Sequence, residues 1–316
     1  MPALSLTAAM VNYGHVRPLL DGTIQSERVT LEPIEVSPIT AAFRRMVRRL
    51  EFDISEMAFA TYLCARAHGK AMTGLPIFLT RRLEHGSIFY NANSGIQFPA
   101  DLAGRRVGLR SYTLTPGIWV RGILQSAYGV DLQRVTWVLT GDEHVAEYVA
   151  PANVVSAPAG SDLKAMLLAG EIDAAIGLQE ADAPELQPLI ADPQQAGIDY
   201  YRQTGIYPIS HMIVVKDALL DAYPWLAETL CDLFVRAKRH YLSQLNGSTG
   251  GHPVNTAMLA MRPVLGDDHI PYDLESNRQS IEALIRFCVE QQIIPQAVEI
   301  EDIFPSRVLN SGALQG

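Results

Sequence analysis

The 316-residue chain is short of cysteine, of positive charge and of long apolar runs, and each shortage excludes something. Its three cysteines, Cys64, Cys231 and Cys288, are far apart and odd in number, with no CxxC spacing, so neither a disulfide framework nor a cysteine metal knuckle is expected. Buried thiols in a reducing compartment fit that pattern. Lys and Arg number 25 against 34 Asp and Glu, a net charge of −9. A nucleic-acid binder needs a basic excess to displace condensed counterions, and an anionic membrane attracts one too, so neither partner is expected. No uncharged apolar run approaches the ~20 residues that span a bilayer. No Lys or Arg precedes Arg17 and no sustained apolar core lies before it. A secretory signal is therefore not expected, and a cytoplasmic location is. G-x-S-x-G, G-x-G-x-x-G and G-x-x-x-x-G-K-[ST] are missing, which removes the best evidence for nucleophile-elbow hydrolases, simple dinucleotide-binding dehydrogenases and P-loop enzymes. No histidine spacing pins a metal, and none is expected.

What is present is a globular composition, 48% hydrophobic and 19% charged, long enough for about two domains. The first half alternates β-rich runs with helical patterns. Residues 4–10, 29–36, 52–58, 73–80 and 87–91 read as strands, and 39–51 as an amphipathic helix with Ala42, Met46 and Leu50 four apart among arginines. A strand over RRVGLR leads into a helix from Pro116 to Gly129, and residues 161–177 repeat that grammar with a helix stopped by Gly170. Residues 150–160 read as a surface loop, 206–216 as a strand, 223–244 as a long helix, 243–253 as a loop and 277–292 as a helix. Strands alternating with helices make this an α/β chain with a parallel or mixed sheet. The helix-rich last third is either a cap or a part of the first sheet's lobe. The second option joins residues 1–100 and 206–316 into one discontinuous lobe around an inserted lobe, 101–205, with a hinge and a cleft.

Several groups are placed to do chemistry. The cluster Arg81-Arg82-Leu83-Glu84-His85 follows a strand, where open α/β sheets bind ligands, and is otherwise a solvated loop. Ser111, Thr113 and Thr115 join a strand to a helix whose unpaired N–H groups could receive a carboxylate, unless Thr115 merely caps it. Trp119 and Arg121 follow in the next turn on different faces. Glu56 sits where a strand hands over to a helix, as a first-turn residue or as an acid, base or cation partner. His211 lies in an apolar strand, as a core residue or a titrating group, and loop-borne His15 could reach the same cleft.

Five segments in register, FDISEMAFATYL, PIFLTRRLEHGSIFYN, FPADLAGRRVGLRSYTLTPGIWVRGIL, TGIYPISHMIVV and IPYDLESNRQSIEALIRF followed by EQQIIP, resemble the 4,5-dihydroxyphthalate decarboxylase family over nearly the whole chain. The resemblance implies the two-lobed fold of type II periplasmic binding proteins and supports the discontinuous lobe. It reaches Glu56 and Met57, Arg81 and His85, Trp119, Arg121 and Gly122, Pro208 and His211. The chain departs from the pattern at Ala58, Leu83 and Glu84, where the family has Ser, Phe and Arg. The activity implied is decarboxylation of a hydroxylated aromatic acid without a cofactor. His211 and His85 are the expected acid/base groups, with Glu56 accepting a phenolic proton or orienting a histidine. Arg81, Arg82, Arg121, His15 and the Ser111–Thr115 helix start would bind the acid, and Trp119 would stack on its ring. A small anionic aromatic substrate and a homo-oligomer are expected. Two alternatives stay open: a binding protein that closes on a small carboxylate without turnover, and a lyase or hydrolase using a metal held by His15, His85, His211 or Glu56.

Overall fold

A computed structural model describes residues 2–178, 181–245 and 252–309. Eleven strands run in chain order: β1 (Leu4–Ala9), β2 (Val29–Pro33), β3 (Ile54–Ala58), β4 (Met72–Arg81), β5 (Ile88–Asn91), β6 (Arg106–Leu109), β7 (Thr136–Leu139), β8 (Val154–Ser156), β9 (Ala174–Ile176), β10 (Leu186–Pro188) and β11 (Ile209–Lys216). They form two sheets, one in each of two compact units.

Unit 1 comprises residues 1–82, 209–282 and 297–316 and holds the sheet β2-β1-β3-β11-β4. β1 pairs in parallel with β2 and β3, while β11 enters antiparallel between β3 and β4. Nine of the ten residues of β4 are buried, as in a strand covered on both faces. Helix Ile39–Arg49 buries Ala42, Phe43, Met46 and Val47 and leaves Arg48 and Arg49 exposed, so the arginines and the apolar stripe take opposite faces. Helix Leu226–Ser243 buries Leu226, Leu230, Cys231 and Phe234 in one core with Leu6, Ile54, Leu75 and Ile213. This helix of the last third therefore packs on the first sheet. The helix expected from residue 223 begins at Leu226, after a separate short helix Asp217–Ala222.

Unit 2 comprises residues 83–208 and 283–296 around the sheet β10-β5-β9-β6-β7-β8. β5 is antiparallel to β9 and β10, and β6 to β9 and β7 to β8 are parallel pairs. Helix Thr115–Tyr128 has Pro116 in its first turn and ends on Gly129 in the left-handed conformation (φ +65°), as its sequence requires. The unit boundaries differ from those expected. The first falls after Arg82 rather than near residue 100, and residues 283–296 belong to unit 2. The expected surface loop over 150–160 contains β8. Part of the loop over 243–253, residues 246–251, lies outside the described residues. All three cysteines are buried and none is in a disulfide.

Candidate active site

The register of unit 1 sets its most reactive group of side chains. His211 pairs with Ala58 and Ile213 with Glu56 across β11 and β3. Because strand side chains alternate, Glu56 and His211 share a face as diagonal neighbours, within reach of long side chains. His211 Nδ1 lies 2.6 Å from Glu56 Oε1. Tyr13 donates its hydroxyl to the same oxygen at 2.8 Å, and the Val11 backbone N–H donates to Oε2 at 2.9 Å. Glu56 is fully buried, whereas the His211 side chain keeps 19% exposure. Burial and the neighbouring Glu56 hold the Tyr13 hydroxyl well above the usual tyrosine range, so it remains a donor. The Phe43 ring meets His211 edge-on at 5.0 Å and helps to fix its plane. With Nδ1–H given to Glu56, Nε2 is the nitrogen left to exchange a proton with a ligand.

The other expected residues of unit 1 differ in setting. His15 is fully buried, stacked on Tyr13 with ring centroids 5.7 Å apart, and burial pushes its pKa down to about 3. Arg81 is buried, with Nη2 donating to the Pro271 carbonyl at 3.1 Å and to Asn277 Oδ1. Arg82 is exposed.

In unit 2 several expectations need correcting. Glu143 takes the helix start meant for a ligand carboxylate. It accepts Ser111 Oγ at 2.7 Å, Tyr112 N at 2.6 Å, and Thr113 N and Oγ1 at 3.1 and 2.5 Å. Thr115 does not cap the helix; Leu114 holds that position, with no side-chain cap, and Thr115 is buried in the first turn. Trp119 is fully buried with Phe287 edge-on at 5.8 Å, a core contact instead of a stacking platform. Arg121 is also fully buried, bonded to Gln291 Oε1 at 2.7 Å and the Tyr112 carbonyl at 2.6 Å, with its guanidinium 3.9 Å over the Tyr112 ring. It braces the 111–113 turn. His85 lies buried between Tyr128 and Tyr200, and burial pushes its pKa down to about 4, so the ring is uncharged near neutrality and is not poised as a general acid. Glu84 is buried and accepts the Ser87 hydroxyl at 2.6 Å, which engages its carboxylate within its own turn. Among the described residues, no group of three or more His, Cys, Asp or Glu side chains is placed to hold a metal ion. None of the described helices is long and apolar enough to cross a membrane.

Sequence reasoning missed Tyr13, Phe43 and Glu143. Tyr13 stands two positions before His15 in the same loop and could have been nominated with it. Glu143 follows the apolar run VTWVL, and reading that run as a strand would have placed it at a strand's carboxyl end beside the 111–115 turn.

No family model matches the chain. Among curated proteins it is 29% identical over 303 residues to a 4,5-dihydroxyphthalate decarboxylase of Comamonas testosteroni, covering 90% of this chain and 91% of that one. It is 35% identical over 216 residues to the protein of the same name from Pseudomonas putida, covering 64% and 83%. Among solved structures it resembles the periplasmic sulfonate-binding protein SsuA from Methylobacillus flagellatus, with TM-score 0.57, 11% identity, and coverage of 100% of this chain and 95% of that one. The desulfurization enzyme DSZB matches with TM-score 0.55 and 17% identity over 99% of both chains. The fold is thus that of periplasmic binding proteins, and at 35% identity over most of a relative's length the chain belongs to the 4,5-dihydroxyphthalate decarboxylase family.

Proposed function

We propose that the chain is a carboxy-lyase that removes CO2 from a hydroxylated aromatic carboxylate of the 4,5-dihydroxyphthalate type. In such an acid each carboxylate has a ring hydroxyl para to it. As that hydroxyl loses its proton, its electrons move toward the carbon bearing the carboxylate, which takes a proton. The C–C bond then breaks, CO2 leaves, and the bonding pair restores the aromatic ring. One proton enters for each CO2 released, so the site needs a proton donor aimed at carbon and an acceptor for the phenolic proton.

The observation that carries this reading is the Glu56–His211 contact at 2.6 Å on a half-buried strand face. Glu56, anchored by Tyr13 and Val11, orients the imidazole and compensates its charge when protonated, and Nε2 delivers the proton to carbon. Arg81 and Arg82 are the cationic side chains of unit 1 next to β4 proposed to receive the carboxylates. Ser111 and Thr113 are not assigned that role, because Glu143 holds their hydroxyls. Purified protein incubated with 4,5-dihydroxyphthalate is expected to release CO2 in step with 3,4-dihydroxybenzoate, and to leave phthalate, which lacks the hydroxyls, unchanged. Recovery of bound but unaltered 4,5-dihydroxyphthalate would overturn the proposal in favour of a binding protein.

A further inference from the structure

Around His15, unit 1 buries more polar atoms than its own side chains satisfy. Asn255 Nδ2, His269 Nε2 and the Tyr272 hydroxyl have no hydrogen-bond partner among the described residues, His15 has only a backbone contact at Leu79, and none of these residues is more than 1% exposed. Protein interiors leave few such groups unpaired, because each costs about 1–3 kcal/mol. These atoms share one neighbourhood. The Gly14 N–H, next to His15, donates to Asn255 Oδ1 at 3.3 Å. The His15 ring lies 6.4 Å from Tyr272 and 6.2 Å from Tyr241, and it senses the charges of Lys238 and His269. Lys238 Nζ stands 5.0 Å over the Tyr272 ring.

The chemistry on offer is mixed. Lys238 is matched by Asp268 at 2.5 Å, while Arg81, proposed above to hold a carboxylate, keeps its charge near Tyr272 with Nη2 on the neutral Pro271 carbonyl and Asn277. Burial keeps His15 uncharged and lowers the pKa of His269. A carboxylate only accepts, and burying one among these groups beyond the reach of Arg81 would be costly. With the Leu79 backbone contact taking one ring nitrogen, neutral His15 has the other left to pair, Asn255 Nδ2 donates, and Tyr272 can do both. A phenolic hydroxyl has the same dual character. The aromatic faces of Tyr13, Tyr241 and Tyr272 around His15 suit a ring that carries it.

We infer that His15, Asn255, His269 and Tyr272 form the subsite for the ring hydroxyls of the aromatic acid, separate from the groups that hold its carboxylates. The inference rests on the proposed function and names which end of the ligand this part of unit 1 reads.

Calorimetric titration with 3,4-dihydroxybenzoate and with benzoate tests it, since the two probes share a carboxylate and differ only in hydroxyls. Wild-type protein is expected to prefer the dihydroxy acid. Tyr272→Phe removes a single oxygen from an unchanged ring, and its fold can be checked by thermal melting; His15→Asn is the second variant. Each should reduce the preference by about tenfold, with benzoate affinity held within about twofold, because a site built around hydroxyls loses discrimination once its partners go. An undiminished preference in both variants would overturn the inference, the polar atoms then being satisfied by water. A wild-type protein without any preference would overturn the proposed substrate class itself, and the two failures are distinguished by which protein shows them.

Discussion

In the proposed reaction His211 and Glu56 divide the work on chemical grounds. Fully buried Glu56 has its Oε2 turned to the Val11 N–H and its Oε1 to Tyr13 and His211, an arrangement suited to holding the imidazole rather than to meeting a ligand. His211, with part of its ring exposed, can meet one. His211→Gln is therefore expected to lower kcat by about 10²- to 10⁴-fold with KM changed little, the range for loss of a general acid. Glu56→Gln should lower kcat by a similar order, with partial recovery in Glu56→Asp, which keeps the carboxylate, whereas a purely packing role would show no such rescue. Steady-state kinetics of the variants checks both, and a Glu56→Gln protein with wild-type kcat would refute the orienting role. Both residues were legible in the sequence as candidates, Glu56 at a strand-to-helix handover and His211 in an apolar strand. Their pairing was not, because it depends on a register between segments 155 positions apart.

The strand that makes this pairing is β11, which returns late in the chain to lie antiparallel between β3 and β4. Its apolar run was readable, whereas its place in the sheet is a long-range choice that periodicity does not encode. Three short strands, β7, β8 and β10, were missed, while β9 of equal shortness was read because Gly170 and Gly177 bracket it. In unit 2 the 111–115 segment was expected to receive a ligand carboxylate at a helix start; instead the 111–113 turn ahead of the helix holds the carboxylate of Glu143. Removing it strands two hydroxyls and two backbone N–H groups. Glu143→Ala is expected to cost about 1–3 kcal/mol in urea unfolding, and unchanged stability would contradict its bracing role. Further along that helix, a Cβ added at Gly122 would run into the Phe287 ring that packs on Trp119. Gly122→Ala should lose about 1–3 kcal/mol by overpacking, measured as a lowered midpoint of thermal melting.

Two units, each with its own sheet and core, also set how the protein responds to acid. His15 and His85 are held neutral by burial, with pKa values of about 3 and about 4. In the unfolded chain a histidine titrates near ~6.5. Between those values the unfolded chain binds protons that the folded one does not, so stability is complete above ~6.5 and falls as pH drops toward about 4. The slope is up to about 1.4 kcal/mol per pH unit for each histidine. Urea midpoints taken from pH 7 to pH 4.5 should fall steadily, and a flat or rising profile would mean that the two rings are not buried as neutral groups. The chain carries −9 overall, so in the proposed reaction recognition of a small acid falls to local cationic groups such as Arg81 and Arg82. Composition revealed the charge balance, but not that Arg121 and Trp119, both nominated for the ligand, are core residues of unit 2. Their burial depends on Phe287 and Gln291, supplied from the far end of the chain.

The proposed role of His211, oriented by Glu56, is to protonate the carbon that loses CO2. Incubation of wild-type and His211→Gln proteins with 4,5-dihydroxyphthalate in deuterated water tests it directly. The wild-type protein is expected to yield CO2 and 3,4-dihydroxybenzoate carrying one deuteron at the vacated ring position, while the variant yields both at least about a hundredfold more slowly. Equal rates for the two proteins, or unaltered acid recovered from the wild type, would contradict the account.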